Sequence, residues 1–151
     1  MAERRLLYFT ADGHQLYRSS GRSLELEGRF APDGGGLEEF RAYLKGRRGA
    51  LFSAVADLAG EDFHEDPIPF LRGGDREAVL SRRLAQRYRD TRVAAALSLG
   101  YVMAGERKNE RLLLDSFTNT EQLTPWLDAL DEAGVRLAGV YSVPLLAPAL
   151  A

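Results

Sequence analysis

The N-terminal part of the chain alternates between short apolar runs and polar turn signals. Residues 6–10 are rich in strand-forming side chains, and Asp12-Gly13 follows as a strong hairpin-turn signal. Residues 14–18 suit the return strand, and apolar and charged side chains then alternate over residues 24–27. Because alternation is typical of a strand with one buried face, this part predicts an antiparallel meander of three strands.

The next part of the chain predicts a helix followed by a buried strand. A glycine-rich break at residues 32–36 precedes residues 37–45, where apolar positions recur at spacings of three and four. This spacing predicts an amphipathic helix with Gly46 as its stop. The continuous apolar run at residues 50–56 then suits a strand that is buried on both faces.

A second helix and a hairpin are predicted in the middle of the chain. Asp75 is expected to be the N-cap of that helix, because a short acidic side chain can accept hydrogen bonds from the first free amides. Residues 93–99 predict a strand. Residues 101–103 and 111–117 then predict a hairpin on either side of the polar segment 106–110.

A third helix and a final strand complete the pattern. The helix is expected to begin with Asn119 or Thr120 as its N-cap and to end at Gly134. Trp126 lies on the apolar stripe of this helix, so we expect it to pack in the core. Residues 137–141 predict the last strand.

The order of these elements predicts an α/β fold with a mixed sheet that begins in the ribonuclease H-like way, βββαβα. The 151 residues suit one domain over residues 1–151 with a core of its own. A formal net charge of -2 does not favour a groove that follows nucleic-acid phosphates. The absence of cysteine excludes disulfides and thiolate zinc sites, and it is consistent with a cytoplasmic location.

The two ends of the chain carry apolar residues. The run at residues 6–9 is too short for a secretion signal or a membrane span, so we expect no membrane insertion. Residues 143–151 are apolar throughout. Two explanations for them stay open: either this tail packs against the domain, or it is the cut edge of a longer protein.

Two parts of the chain resemble a known family. The first part comprises Pro67-Ile68-Pro69 with residues 75–80, 84–85 and 95–100; the second comprises residues 119–123, 126–130, 133–135 and 141–144. Together they resemble the first half of the actin-like cytoplasmic domains of the L-type type II secretion protein and the M-type type IV pilus assembly protein. The likeness extends over residues 5–148.

The resemblance implies an actin-like subdomain whose second half is missing, and a role as a non-catalytic assembly scaffold. It also implies a protein partner, such as a secretion or pilus assembly component, and a cytoplasmic position peripheral to the inner membrane through that partner. No cofactor, metal or nucleic acid is expected. A homodimer is an alternative way to cover an exposed surface.

The first hairpin occupies the phosphate-loop position of the M-type relatives. Those relatives carry an Asp-x-Gly sequence there, whereas this chain has Asp12-Gly13 followed by His14 and Gln15. The family spacing is absent and bulky side chains are predicted in the turn, which argues against ATP binding. Degenerate nucleotide binding without turnover stays open as an alternative function.

A metal-dependent ribonuclease H-like nuclease is the other alternative. That chemistry needs carboxylates that converge from the first strand, the first helix and the fourth strand. The chain offers Asp12, Glu38 or Glu39, and Asp57 in that order. However, acids are common in turns, and we predict that Glu38 and Glu39 lie in the first turn of their helix, where the helix dipole favours them.

Two charged segments are candidate binding sites. The acidic segment at residues 61–66 includes His64 and could bind a metal, but its spacing matches no known loop, so we predict a solvated linker. The second helix carries Arg76, Arg83 and Arg87 near one another, as any exposed helix face would allow, and this patch could also bind phosphate or nucleic acid. Docking of an acidic partner protein is favoured over nucleic acid.

Overall fold

The computed structural model describes residues 3–118 and 120–150. In order, the strands and α-helices are β1 (Arg4–Thr10), β2 (Gly13–Ser20), β3 (Ser23–Phe30), α1 (Gly34–Leu44), β4 (Leu51–Asp57), β5 (Glu61–Pro69), α2 (Gly73–Arg87), β6 (Ala94–Ala104), β7 (Arg107–Phe117), α3 (Thr124–Glu132), β8 (Arg136–Ser142) and α4 (Val143–Leu150). Short 3-10 turns occupy Thr91–Val93 and Thr120–Gln122. The elements divide into two compact units, of which the second is Gly60–Thr120 and the first is the rest.

A five-stranded mixed sheet with the order β3-β2-β1-β4-β8 forms the first unit. Strands β1, β2 and β3 pair antiparallel, which confirms the predicted meander. Strand β4 is parallel to both β1 and β8. The predicted α/β class and the ribonuclease H-like start of the sheet are therefore confirmed.

The core of the first unit lies between one face of this sheet and helices α1 and α3. Leu7, Phe9 and Phe52 are fully buried on the strands, because alternate side chains of β1 and β4 face the helices. Phe40 of α1 and Trp126 of α3 close the core with ring centroids 5.1 Å apart. Trp126 is 2% exposed, which confirms its predicted place in the core.

The second unit packs helix α2 on a three-stranded antiparallel sheet with the order β5-β7-β6. Ile68, Leu112 and Leu114 on the strands and Leu80 on the helix form its buried cluster. Because only four buried residues make this cluster, most of the apolar surface of strand β6 is left outside it.

The acidic segment at residues 61–66 is a strand, so the prediction of a solvated linker is wrong. It belongs to β5, which pairs with β7 over its whole length, from Glu61 opposite Phe117 to Pro69 opposite Asn109. The many charges misled the sequence argument. In the structure several of them are neutralised by arginines of the same unit, which allows a charged segment to adopt a regular strand.

Helix α1 begins at Gly34, inside the segment that the sequence analysis took for a flexible break. The carboxylate of Asp33 accepts a hydrogen bond from the amide of Gly36 at 2.9 Å, so Asp33 is the N-cap. The prediction that Glu38 and Glu39 lie in the first turn is therefore wrong, because both residues lie further along the helix. Gly36 is buried and lies close to the backbone of Ala31.

The beginnings of the other two predicted helices are also corrected. Helix α2 begins at Gly73 after Arg72 as N-cap, so Asp75 lies inside its first turn. Thr120 lies in a 3-10 turn rather than at an N-cap, and Asn119 is outside the described residues. Leu123 is the N-cap of α3, because its carbonyl accepts hydrogen bonds from the amides of Trp126 and Leu127. Pro125 occupies the first turn, where its lack of an N–H leaves no donor unsatisfied.

Two further predictions concern the end of α3 and the hairpin of β6 and β7. Gly134 has a φ of 71° directly after α3, which confirms it as the residue that ends the helix. The hairpin of β6 and β7 is confirmed, but its turn is limited to Gly105 and Glu106, and residues 107–110 continue β7. The apolar residues after Ser142 form helix α4, which lies next to β4 and β8.

Candidate functional site

The turn between β1 and β2 borders an open cleft of about 330 Å³. Asp12 and Gly13, the predicted phosphate-loop position, line this cleft together with Arg29 at the end of β3. Asp12 is exposed, and Gly13 is paired with Thr10 as the first residue of β2. An exposed turn with an arginine beside it can receive an anion.

His14 does not lie in the turn, and this prediction is wrong. Its side chain is 3% exposed and packs edge-on against Phe9 and Trp126, with ring centroids 4.7 Å and 4.4 Å away. Burial lowers the pKa of His14 to about 4, although the Gly13 carbonyl nearby acts in the opposite direction. The ring is therefore neutral at physiological pH and serves as an aromatic member of the core.

The structure does not gather the nuclease carboxylates Asp12, Glu39 and Asp57. Glu39 is exposed on α1, and Asp57 at the end of β4 is exposed and accepts a hydrogen bond from the Tyr8 hydroxyl at 3.0 Å. Within residues 3–118 and 120–150, no three histidine, aspartate or glutamate side chains stand close enough to hold a metal ion. The described side chains thus offer no support for two-metal chemistry by this set.

The arginines of α2 bind acidic groups of the same unit. Arg87 pairs with Asp62 at 3.1 Å, and Arg83 pairs with Asp66 at 3.4 Å. Hydrogen bonds from Tyr88 and Arg87 lower the pKa of Asp62, so its carboxylate stays charged. These pairs occupy much of the positive surface that the sequence analysis assigned to an acidic partner.

Arg76, the first arginine of this helix, forms the tightest of these pairs. Both Nε and Nη2 of Arg76 donate to the carboxylate of Glu110, each at 3.0 Å, in a bidentate arrangement. Glu110 is 1% exposed, and the hydrogen bonds from Arg76 hold its pKa below the usual range. This pair fixes α2 on β7 inside the second unit.

Strand β6 is an edge strand without a charged side chain over its whole length. It pairs only with β7, so one row of its backbone amides and carbonyls has no strand partner among the described residues. Five of its large apolar side chains are 39–64% exposed: Leu97, Leu99, Tyr101, Val102 and Met103. A long, apolar and unpaired edge is the kind of surface on which a second polypeptide adds a strand.

The opposite edge of the same sheet shows the contrast. Strand β5 carries four acidic residues and two prolines, and it therefore discourages the addition of another strand. Sequence reasoning did not single out β6 as a functional surface. The signal available was the complete absence of charge from residues 94–104 in a chain with 28% charged residues.

A break in the pairing of β6 with β7 lies between Ser98 and Tyr101, where Gly100 has a φ of 103°. Beyond this bulge, the Tyr101 ring lies 5.6 Å from that of Phe70, and the Lys108 ammonium lies within 5 Å of both rings, at 4.5 and 4.7 Å. The bulge thus turns Tyr101 towards an aromatic and cationic cluster, while Val102 and Met103 stay exposed.

No protein-family model matches this chain, and no curated protein matches it either. Solved structures do match. One of them is a chain of the PilM-PilN type IV pilus biogenesis complex, with a TM-score of 0.59 and 15% identity. The similarity covers 98% of this chain and 50% of that chain.

Two other solved structures give weaker superpositions. The cytoplasmic domain of EpsL, an inner membrane component of the type II secretion system of Vibrio cholerae, has a TM-score of 0.43 and 17% identity, over 93% of this chain and 57% of its own. A Bacteroides thetaiotaomicron protein with an actin-like ATPase fold and unknown function has a TM-score of 0.38 and 10% identity, over 93% of this chain and 51% of its own.

The match to the pilus complex agrees with the fold that the sequence resemblance implied. This chain spans about half of the length of that solved chain. It contains the sheet with the order β3-β2-β1-β4-β8 and, between β4 and α3 in the sequence, the second unit. The chain therefore has an α/β fold with a mixed sheet that is similar to the fold of that solved chain.

Proposed function

We propose that this chain is a non-catalytic, protein-binding scaffold that works in a pilus or secretion assembly machine. The observation that carries the proposal is the likeness of 98% of the chain to a chain that is itself part of a two-protein pilus biogenesis complex. The partner is another protein of such a machine. The proposed place of action is the cytoplasm, peripheral to the inner membrane through that partner.

Strand β6 is the surface that we assign to this partner. Its unpaired backbone groups supply hydrogen bonds that are independent of sequence, and its exposed apolar side chains supply area that is favourable to bury. Met103 is 64% exposed, and burial of its side chain against a partner would be favourable. No helix in the described part of the chain has the length and apolar character that crossing a membrane requires.

Site-specific photocrosslinking in the source cells tests the proposal. A photoreactive amino acid at Met103 is expected to capture one defined protein, because this position is the most exposed apolar site on the edge. The captured protein is then identified by mass spectrometry, and we expect a component of a pilus or secretion assembly.

The matched control is the same photoreactive residue at Leu24, which is 54% exposed on the edge strand β3 of the other unit. Capture of the same protein from both positions would point to non-specific adhesion. Repeated failure to capture any protein from Met103 would count against a scaffold that uses β6.

Degenerate nucleotide binding without turnover is a second proposal, which the hairpin cleft supports. The His14 ring is buried, so it does not fill the turn, and Arg29 lines the cleft beside Gly13. Gln15, the other bulky residue of the prediction, also lines this cleft. We expect magnesium ATP to raise the melting temperature, since a ligand that binds only the native state stabilises it. The rise should disappear in Arg29→Gln and persist in Arg22→Gln, whose side chain lies in a distant turn of the same sheet; no rise in the unmodified chain would dismiss this proposal.

A further inference from the structure

The loop between α1 and β4 is strongly basic and borders a separate cleft. It carries Lys45, Arg47 and Arg48 without an acidic residue. The cleft has a volume of about 280 Å³ and is lined by this loop and by Glu3 and Arg5 at the start of β1. Three arginines, Arg5, Arg47 and Arg48, therefore line this cleft together with Glu3.

Arg5 is the buried member of this group. Its side chain is 4% exposed; Nε donates to Glu27 at 3.0 Å and Nη2 to Glu3 at 2.6 Å. The remaining nitrogen, Nη1, has no hydrogen-bond partner among the described residues. A buried guanidinium N–H without an acceptor is costly, and Nη1 is out of reach of solvent, so a ligand oxygen becomes its acceptor only if the side chains around it shift.

The backbone of the loop adds further donors. The amides of Arg47, Gly49 and Ala50 donate to carbonyl oxygens at 3.0–3.1 Å. In the described part of the chain, the amides of Gly46 and Arg48 make no such bond. Free amides beside arginine side chains form a suitable cradle for an anion.

Ordinary helix capping explains only part of this charge. Nη1 of Arg47 donates to the Tyr43 carbonyl at 2.7 Å, and its guanidinium stacks 4.0 Å from the Tyr43 ring, as expected for a cation at a helix C-terminus. Neither Arg48 nor the free nitrogen of Arg5 is accounted for in this way. The side chain of Arg48 passes close to Gly134 and makes no ion pair within the described residues.

We propose that this cleft binds a phosphate-type oxyanion, held by Arg5, Arg48 and the free amides of the loop. A tetrahedral oxyanion offers several acceptor oxygens that point in different directions, which suits arginine side chains and free backbone amides better than a single carboxylate ligand does. A soluble phosphate compound and a lipid headgroup present this same chemistry.

Titration of the 15N-labelled chain with inorganic phosphate tests the site. We expect saturable chemical-shift changes at residues 46–50, and chloride at equal ionic strength should produce none. Arg48→Gln is expected to weaken phosphate binding about tenfold, which corresponds to one lost charge-assisted contact. Arg22→Gln removes the same charge from the exposed β2–β3 turn and should leave the affinity unchanged.

Two further measurements complete this test. Arg48→Lys keeps the charge and is expected to restore part of the affinity, which separates loss of binding from loss of folding. Co-sedimentation with vesicles of phosphatidylglycerol, compared with phosphatidylcholine alone, identifies the source of the phosphate group. Vesicle binding that depends on Arg48 indicates a lipid headgroup. A positive phosphate titration without vesicle binding indicates a soluble ligand. No saturable shift at residues 46–50, or equal weakening by Arg48→Gln and Arg22→Gln, would overturn the proposal.

Discussion

Replacement of Gly36 by alanine is expected to destabilise the first unit severely, by about 3 kcal/mol or more. A Cβ at this position would lie 1.8 Å from the carbonyl oxygen of Ala31 and 2.7 Å from its carbonyl carbon and amide nitrogen. These are backbone atoms, so the clash is relieved only if the chain before α1 moves. Such a movement would disturb Asp33, whose carboxylate caps the helix through the Gly36 amide.

Gly34 provides a matched control in the same helical turn. A Cβ there would meet no atom within 4 Å, so Gly34→Ala is expected to be neutral or to stabilise the helix by about 0.5–1 kcal/mol through its better helix propensity. Urea unfolding followed by circular dichroism measures both variants. Equal free energies of unfolding for the two variants would show that α1 does not approach Ala31 as closely as the structure has it.

Replacement of Asp115 by asparagine is expected to stabilise the protein above neutral pH. Asp115 is 6% exposed on β7, and burial together with the nearby carboxylate of Glu61 raises its pKa to about 7. Its folded pKa thus lies above the unfolded value, so the native form binds the proton more strongly. Stability from this group is present at low pH and is lost as the pH rises from about 4 through about 7.

The expected loss is on the order of 2–4 kcal/mol by pH 8, because one pKa unit corresponds to about 1.4 kcal/mol. An asparagine carries no charge at any pH in this range, so the variant should lack this loss. Urea unfolding between pH 5 and 8 gives the difference between wild type and variant at each pH. His14 is present in both proteins, so its opposite contribution to the pH dependence cancels in this difference. Because its pKa is lowered in the folded state, that contribution is a loss of stability as the pH falls.

Glu106→Gln serves as the control for Asp115, since Glu106 is an exposed carboxylate in the turn of the same hairpin. It is expected to leave the pH dependence as it is. If Asp115→Asn follows the wild-type pH dependence between pH 5 and 8, then the pKa of Asp115 is not raised in the folded protein.

The meander and the C-terminal end of α3 were readable from the sequence because their causes are local. Asp12-Gly13 specifies a hairpin turn, and Gly134 ends a helix, through backbone preferences that operate within a few residues. The apolar stripe of α3 likewise places Trp126 in the core by spacing alone. These features do not depend on which distant part of the chain packs against them.

The errors came from residues whose environment is set by distant partners. His14 looked like a turn residue, yet its burial depends on Trp126, far along the chain. The charges at residues 61–66 looked solvated, because nothing local shows that Arg83 and Arg87 neutralise them from α2. The glycines before Leu37 looked flexible, whereas Gly36 is required by the close approach of Ala31.

The candidate site was even less accessible to sequence reasoning. An uncharged run such as residues 94–104 is typical of a buried strand, and only the sheet order shows that β6 is an edge with exposed side chains. The same holds for the basic cleft, since Arg5 and Arg48 are brought together by the parallel pairing of β1 with β4.

Amide hydrogen exchange, measured for this chain alone and with the purified partner captured from Met103, tests the central claim most directly. Strand addition on β6 predicts slower exchange at alternate amides within Ala94–Ala104, namely those that do not already pair with β7. Protection confined to other elements, with the exchange of β6 unchanged on binding, would contradict the assignment of this edge as the docking surface.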